Sequence, residues 1–164
     1  MITPAHARAP AFDDRPVLAT APLKAGHARE ELSRAGDSSW DLGPAVFREN
    51  ARRCHVTVHF DVLEHADVQT AMRAYLYARL NVDLPGYRPM LPPASIRQAF
   101  NRARRFFAFA RLTLGGLDLG RIDQALADAY ARHLRHDSAR RPVIVGHLLE
   151  VVSDLYHYRD RLAG

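Results

Sequence analysis

Six apolar residues near the end of the chain are separated by four, three, four, three and four positions, and this spacing constrains the fold more than any other feature. They are Ile144, Leu148, Val151, Leu155, Tyr158 and Leu162. Such a spacing places all of them on one side of an α-helix. Pro142 suits the first helical position, because its fixed φ matches a helix and its missing N–H is not needed there. The pattern therefore predicts an amphipathic helix that starts at Pro142.

Two further helices are predicted upstream of it. The first covers residues 94–112, with Ser95 as its N-cap and Gly115-Gly116 as its stop signal. The second covers residues 120–134, and its apolar stripe consists of Ile122, Leu126, Ala129 and His133. We interpret His133 as a hydrogen-bonded core histidine. Three amphipathic helices joined by short loops predict a helical bundle over residues 94–164.

Residues 81–93 separate this bundle from the preceding part of the chain. The segment contains Pro85, Gly86, Pro89, Pro92 and Pro93, which exclude regular structure and predict a domain boundary. Before the boundary, we expect a segment over residues 27–84 that contains a short β-hairpin and a helix ending near Leu80. Residues 1–26 lack hydrophobic periodicity, which predicts a disordered or loosely draped tail.

Apolar and polar residues alternate from Cys54 to Phe60, which is the period of a half-buried strand. In such a strand His55 and His59 would be about 13 Å apart and could not share one zinc ion. No other histidine or cysteine pattern suggests a metal site, so we predict neither a metal nor a cofactor. Cys54 is the single cysteine, and we interpret it as a small buried hydrophobe.

The composition excludes several classes of protein. A single cysteine leaves no internal disulfide, which favours a reducing, cytoplasmic setting. The first thirty residues lack a charged start followed by an apolar run, and no window approaches eighteen consecutive apolar residues. Export and membrane insertion are therefore not expected. We also find no nucleophile elbow, no convincing pair of catalytic carboxylates and no phosphate-binding glycine loop, so the chain alone is not expected to be an enzyme.

The positive charge is concentrated in the predicted bundle. Residues 93–164 contain 12 lysines and arginines against 7 acidic residues, whereas residues 1–92 contain 11 of each. Between Ser95 and Leu117 there are five arginines and no acidic residue. A helix with one arginine-lined face and one apolar face can pack on a protein core while it presents cations to a polyanion.

Projection of this helix at 100° per residue separates two faces. Ile96, Phe100, Ala103, Phe107, Ala110 and Leu114 form the predicted core face. Arg97, Arg104 and Arg111 lie together on an adjacent sector, with Asn101 and Arg105 beside them. Guanidinium groups can bind phosphates bidentately, and an asparagine can read a base edge. Arg140 and Arg141 precede Pro142 and would add cations at a helix N-terminus. These seven residues are the candidate DNA-binding site.

Several segments resemble a known family. They are Ile96–Phe100, Arg104–Ala110, Leu117–Asp123 and Arg141–Leu162, together with the upstream Trp40–Leu42 and Asn50–Asp61. Over about residues 38–162 the chain resembles the N-terminal core-binding domain of tyrosine recombinases, the phage-type integrases. The resemblance implies a mainly α fold, a SAM-like helical bundle that forms half of a clamp around double-stranded DNA. It also implies a bacterial, nucleoid-associated protein.

The family's cleavage chemistry resides in a separate C-terminal domain, which carries a His-x-x-Arg box and a tyrosine nucleophile. No His-x-x-Arg occurs in these 164 residues. The resemblance therefore implies a DNA-binding module without a catalytic residue, and its further partners would be a second copy or a separate catalytic domain. The alternative hypothesis is a protein-interaction or oligomerisation module that uses the apolar stripe beginning at Ile144. The sequence leaves both open.

Overall fold

The computed structural model describes residues 11–49, 51–136 and 142–162. The fold is mainly helical, with one small antiparallel sheet of two strands in the described residues, as the sequence predicts. The strands are β1 (Ser39–Asp41) and β2 (Thr57–His59), and the helices are α1 (Arg53–Val56), α2 (Ala66–Asn81), α3 (Ile96–Leu114), α4 (Gln124–His136) and α5 (Pro142–Leu162). Short 3₁₀ turns lie at Phe12–Asp14, Arg29–Glu31, Gly43–Ala45, Pro93–Ser95 and Leu119–Arg121.

Helix α3 lies at the centre of the molecule and packs against α2, α4, α5 and β2. Its apolar face is buried because it supplies large aromatic side chains at helical spacing. Phe107 contacts Tyr75 of α2 edge to face, with ring centroids 6.1 Å apart. Phe106 meets Tyr130 of α4 in the same manner at 5.0 Å. These contacts fix the orientation of α3, and therefore determine which of its side chains face solvent.

The hairpin covers one end of this core. Trp40 of β1 pairs with Val58 of β2, and both side chains are buried. The Trp40 ring contacts Phe60 at 4.8 Å, and Phe60 contacts Phe100 of α3 at 6.0 Å. A chain of three aromatic rings thus attaches the sheet to α3.

The strand predicted over residues 54–60 is shorter than expected. Only Thr57–His59 is extended, whereas Arg53–Val56 forms the single helical turn α1. Cys54 is exposed, so the prediction of a buried cysteine is wrong. The reason is tertiary: α1 packs against α3, and the side chain of Arg97 donates a hydrogen bond to the carbonyl oxygen of Cys54. A contact across 43 positions overrides the local β-branched pattern.

Residues 11–26 are held against the core, whereas a disordered or loosely draped tail was predicted for residues 1–26. Val17 and Leu18 are buried in the core, and Pro16 forms an antiparallel bridge with Arg34. Asn81 accepts a hydrogen bond from the N–H of Ala19 at 3.0 Å and donates to the carbonyl of Val17 at 2.9 Å. The segment follows no helical or strand period because it is held by individual hydrogen bonds. Residues 1–10 lie outside the described residues.

The proline-rich segment 81–93 connects two helices that share one core. A single cluster of buried residues includes Leu76 and Leu80 before the segment and Ile96 and Phe100 after it. The backbone N–H of Leu91 donates to the carbonyl of Arg79 at 2.7 Å, which returns the chain to the end of α2. The predicted boundary is therefore a loop between packed elements.

Helix boundaries differ from the predictions by a few residues. Helix α3 was expected over residues 94–112 and spans Ile96–Leu114, and α4 was expected over residues 120–134 and spans Gln124–His136. Pro142 begins α5 as predicted. The buried stripe of α4 is Leu126, Tyr130 and Leu134. His133 lies beside this stripe and is exposed, which corrects its assignment to the core.

Two glycines give a matched test of backbone conformation. Gly115 ends α3 with φ +73°, whereas Gly146 lies inside α5, and a Cβ at either position would have no atom within 4 Å. Gly115→Ala is expected to lower the free energy of unfolding by about 1 kcal/mol, because alanine is strained at positive φ. Gly146→Ala is expected to raise it by about 0.5–1 kcal/mol. Urea denaturation measures both, and changes of the same sign would contradict the assigned backbone geometry.

Candidate nucleic-acid interface

The solvent face of α3 carries three of the six arginines in the candidate DNA-binding site. Arg97, Asn101, Arg104 and Arg105 are all exposed, and we call this group the α3 basic face. The opposite side of the helix is buried through Ile96, Phe100, Ala103, Phe107 and Ala110. No acidic residue occurs anywhere in α3. The predicted separation into a core face and a cationic face is therefore present, with Leu114 only partly buried.

The donor groups of this face are largely unused within the chain. Arg104 and Arg105 form no hydrogen bond or ion pair with any described residue, and the same holds for the Asn101 side chain. Arg97 donates a hydrogen bond from one of its terminal nitrogens to the carbonyl oxygen of Cys54. Three guanidinium groups are thus exposed on one helical face without an internal carboxylate partner. Such groups have their full charge available for an external anion.

Arg111 differs from the other members of the predicted site. It is half-buried, and its Nε lies 3.3 Å from Asp67 of α2. The backbone N–H of Leu117 lowers the pKa of the Asp67 carboxyl by donating to it at 2.8 Å, and the N–H of Val68 and Arg111 act in the same direction. Asp67 therefore stays ionised and balances the charge of Arg111. This arginine connects α3 to α2 and does not belong to the α3 basic face.

The fifth arginine of the stretch is also paired. Arg102 donates to the Glu150 carboxylate of α5 at 2.7 Å. Arg102 is not among the candidate DNA-binding residues, and its side chain contacts α5. Arg140 and Arg141, the remaining two predicted DNA-binding residues, lie outside the described residues.

Helix α1 adds cations that the sequence analysis did not select. Arg52 is exposed, and the side chain of Arg53 is 85% exposed at 3.3 Å from Asp41. Because Arg97 binds the carbonyl of Cys54, these residues lie next to the N-terminal end of α3. The Arg52-Arg53 dipeptide is visible in the sequence as a pair of cations, but only the fold shows that it lies beside α3.

A buried carboxylate lies beneath the other side of α3. Asp154 of α5 is fully buried and accepts hydrogen bonds from Tyr75 at 2.7 Å, Tyr87 at 2.9 Å and Arg88 at 2.6 Å. The Nε of Arg79 lies 3.3 Å away. Burial raises the pKa of the Tyr75 hydroxyl well above its ordinary value, and the Asp154 charge adds to this effect. Asp154 thereby joins α2, the following loop and α5.

Glu150 lies one turn before Asp154 on α5, and its contacts extend the network of charged side chains toward α3. Its carboxylate accepts from Arg88 at 3.2 Å and from Arg102 at 2.7 Å, and His147 lies 2.8 Å away. Partial burial opposes ionisation, but the contacts with His147 and the two arginines outweigh it and lower the pKa of Glu150. Alternating cations and anions therefore connect α2, α5 and α3, and stabilise the scaffold that presents the α3 basic face.

Comparison of the chain with models of known protein families, with curated proteins and with solved structures finds no match. The resemblance to tyrosine recombinases therefore depends on the residues quoted for it. In the described ranges, no three His, Cys, Asp or Glu side chains are grouped so that they could hold a metal ion. No described helix is both long enough and apolar enough to cross a membrane.

The apolar stripe of α5 is used inside the molecule. Leu148, Val151, Leu155 and Tyr158 are each at most 5% exposed, and they pack in the interior of the same chain. Ile144, at the start of the stripe, is 44% exposed. The oligomerisation hypothesis required this stripe to be available to a partner. The burial of these four side chains leaves Ile144 and the partly buried Leu162, at the two ends of the stripe, for contact with a partner.

Proposed function

We propose that this chain is a non-catalytic module that binds double-stranded DNA through the α3 basic face. The observation that carries the proposal is the exposure of Arg97, Arg104 and Arg105 on a helix without acidic residues. Proteins that bind nucleic acid obtain much of their affinity by neutralising phosphates with such side chains. The formal net charge of +5 favours the approach to a polyanion.

The shape of the face suits a duplex. Arg104 is seven positions after Arg97, which corresponds to a rise of about 10 Å along the helix axis. The major groove of B-DNA is about 12 Å wide and admits an α-helix. Arginines on the helix would bind phosphates at the groove edges, and Asn101 between them would reach a base edge, where adenine offers the matching donor and acceptor.

Two apolar residues on the same face support this orientation. Ala108 is exposed, and Leu112 is 82% exposed although leucine is ordinarily buried. Small and aliphatic side chains in the major groove contact thymine methyl groups. The face thus combines guanidinium groups that can donate hydrogen bonds to phosphates, one amide side chain and two apolar side chains.

The resemblance to tyrosine recombinases supplies the biological setting of the proposal. In that setting the chain corresponds to the core-binding half of a site-specific recombinase, acting in DNA integration and recombination. Its partner would be a separate catalytic domain or a second copy, and its location the bacterial cytoplasm at the nucleoid. We prefer this function to an oligomerisation module because the α5 stripe is occupied by the chain's own core.

The salt dependence of DNA binding tests the proposal. Affinity for a duplex of about 25 base pairs is measured by fluorescence anisotropy between about 50 and 300 mM NaCl. If three arginines neutralise phosphates, the plot of log K against log salt concentration has a slope of roughly −3. Absence of binding at the lowest salt concentration, or an affinity that does not change with salt, would contradict the proposal.

A further inference from the structure

A small cavity with both polar and apolar lining lies beside the first turn of α3. Its volume is about 180 Å³, and it is enclosed by α2, the loop before α3, α3 itself and α5. Its polar lining includes Arg79, Arg88, Arg102, Ser95, Gln98 and Glu150. A water molecule occupies about 30 Å³ in the liquid, so the cavity has room for a tetrahedral oxyanion.

Several donors that line this cavity are unused. The Arg79 side chain is only 5% exposed, and its Nε lies 3.3 Å from Asp154 but forms no hydrogen bond with the described residues. Ser95 and Gln98 also form no side-chain hydrogen bond within the described part of the chain. A buried donor without an acceptor is unfavourable. The cavity therefore contains several hydrogen-bond donors that a bound acceptor would pair with.

The electrostatics of the cavity favour a negative ligand. The connected charges comprise three guanidinium groups, Arg79, Arg88 and Arg102, against two carboxylates, Asp154 and Glu150. Each guanidinium contacts a carboxylate, but the group as a whole carries one net positive charge. Glu150 itself faces the cavity, but its oxygens are bound to Arg88, Arg102 and His147. A bound anion would balance this net charge.

The start of α3 adds a second attraction. Ser95 occupies the N-cap position of this 19-residue helix, yet its side chain forms no capping hydrogen bond. The N-terminal end of a helix carries a partial positive charge and favours anions. The uncapped helix end and the buried arginine thus converge on one cavity from different elements.

We propose that this cavity binds a phosphate-class oxyanion. The ligand is inorganic phosphate or the terminal phosphate of a monoester, held by Arg79 and Arg102 with Ser95 and Gln98 as hydrogen-bond donors. This site is independent of DNA binding, because none of its four residues belongs to the α3 basic face. Ligand binding would connect α2 to the start of α3.

Calorimetric titration of the full chain with inorganic phosphate, at constant ionic strength in chloride, tests the proposal. We expect saturable binding with one site per chain. Ser95→Asp retains a good N-cap residue but places a carboxylate at the cavity, and Gln98→Glu does the same from the next turn. Each variant is expected to weaken phosphate binding about tenfold or more, since a charge-assisted contact is replaced by repulsion.

Arg104→Ala and Arg105→Ala are the matched controls, and phosphate affinity should not change in either. Titration with adenosine monophosphate distinguishes the source of the phosphate: tighter binding than for inorganic phosphate identifies a monoester, and equal or weaker binding identifies the free ion. Both results support the site. No saturable binding of either compound up to about 10 mM, or full affinity in both Ser95→Asp and Gln98→Glu, would overturn it.

Discussion

Replacement of Asp154 by alanine is expected to lower the free energy of unfolding by about 3–5 kcal/mol. The carboxylate is fully buried and accepts hydrogen bonds from Tyr75, Tyr87 and Arg88. Its removal leaves two hydroxyl groups and the positive charges of Arg79 and Arg88 without their acceptor in the interior. A charge buried without its partner is among the most destabilising changes in a protein. Urea denaturation monitored by circular dichroism measures the loss.

Asp160→Ala is the control for this prediction. Asp160 lies on the same helix, its side chain is 88% exposed, and it is 3.8 Å from the exposed Arg159. An exposed ion pair contributes little, so the free energy of unfolding should change by no more than about 0.5 kcal/mol. If Asp154→Ala cost no more than its control, Asp154 would not be the centre of the buried network described above.

Simultaneous replacement of Arg97, Arg104 and Arg105 by alanine is expected to reduce DNA affinity roughly 100-fold or more at about 100 mM salt. Each arginine that neutralises a phosphate contributes about 0.9 to the magnitude of the log-log salt slope, so the slope should become less negative by about 2.7. The fold should be retained, since all three side chains are exposed and the loss of contact is limited to the Arg97 hydrogen bond with the carbonyl of Cys54. Fluorescence anisotropy over a salt series measures both quantities.

A second triple variant separates the α3 basic face from the effect of net charge. Arg132, Arg135 and Arg161 are exposed on α4 and α5. Their replacement by alanine removes the same charge from other surfaces, and the affinity for DNA should change by less than about threefold, mainly through long-range attraction. Equal losses in the two variants would mean that DNA is held by overall charge, and would reject the assigned face.

The periodic helices could be predicted because their information is local. The spacing from Ile144 to Leu162 and the position of Pro142 predict α5, and the residues of α3 separate on projection into a buried and an exposed face. Exposure of Arg97, Asn101, Arg104 and Arg105 follows from the same projection. In these elements the hydrophobic period alone determines which side meets the core.

Interactions between distant residues could not be predicted. The partner of Arg111 is Asp67, 44 positions earlier, and Asp154 collects donors from residues more than sixty positions away. Nothing near Cys54 indicates that Arg97 will bind its carbonyl and stabilise a helical turn there. Such pairs become neighbours only when α2, α3 and α5 pack together. The hydrophobic pattern of the sequence does not specify that packing.

Two of the hydrogen bonds of the Asn81 side chain constrain the order in which this chain folds. Val17 and Ala19 are bound through a side chain located 62 to 64 positions later. During synthesis on a ribosome, the leading segment therefore leaves the exit tunnel long before its anchor exists. Its ordering must wait for the end of α2, and closing so long a loop is slow compared with forming a helix. Val17 and Ala19 are thus synthesised long before the residue that holds them in their native position.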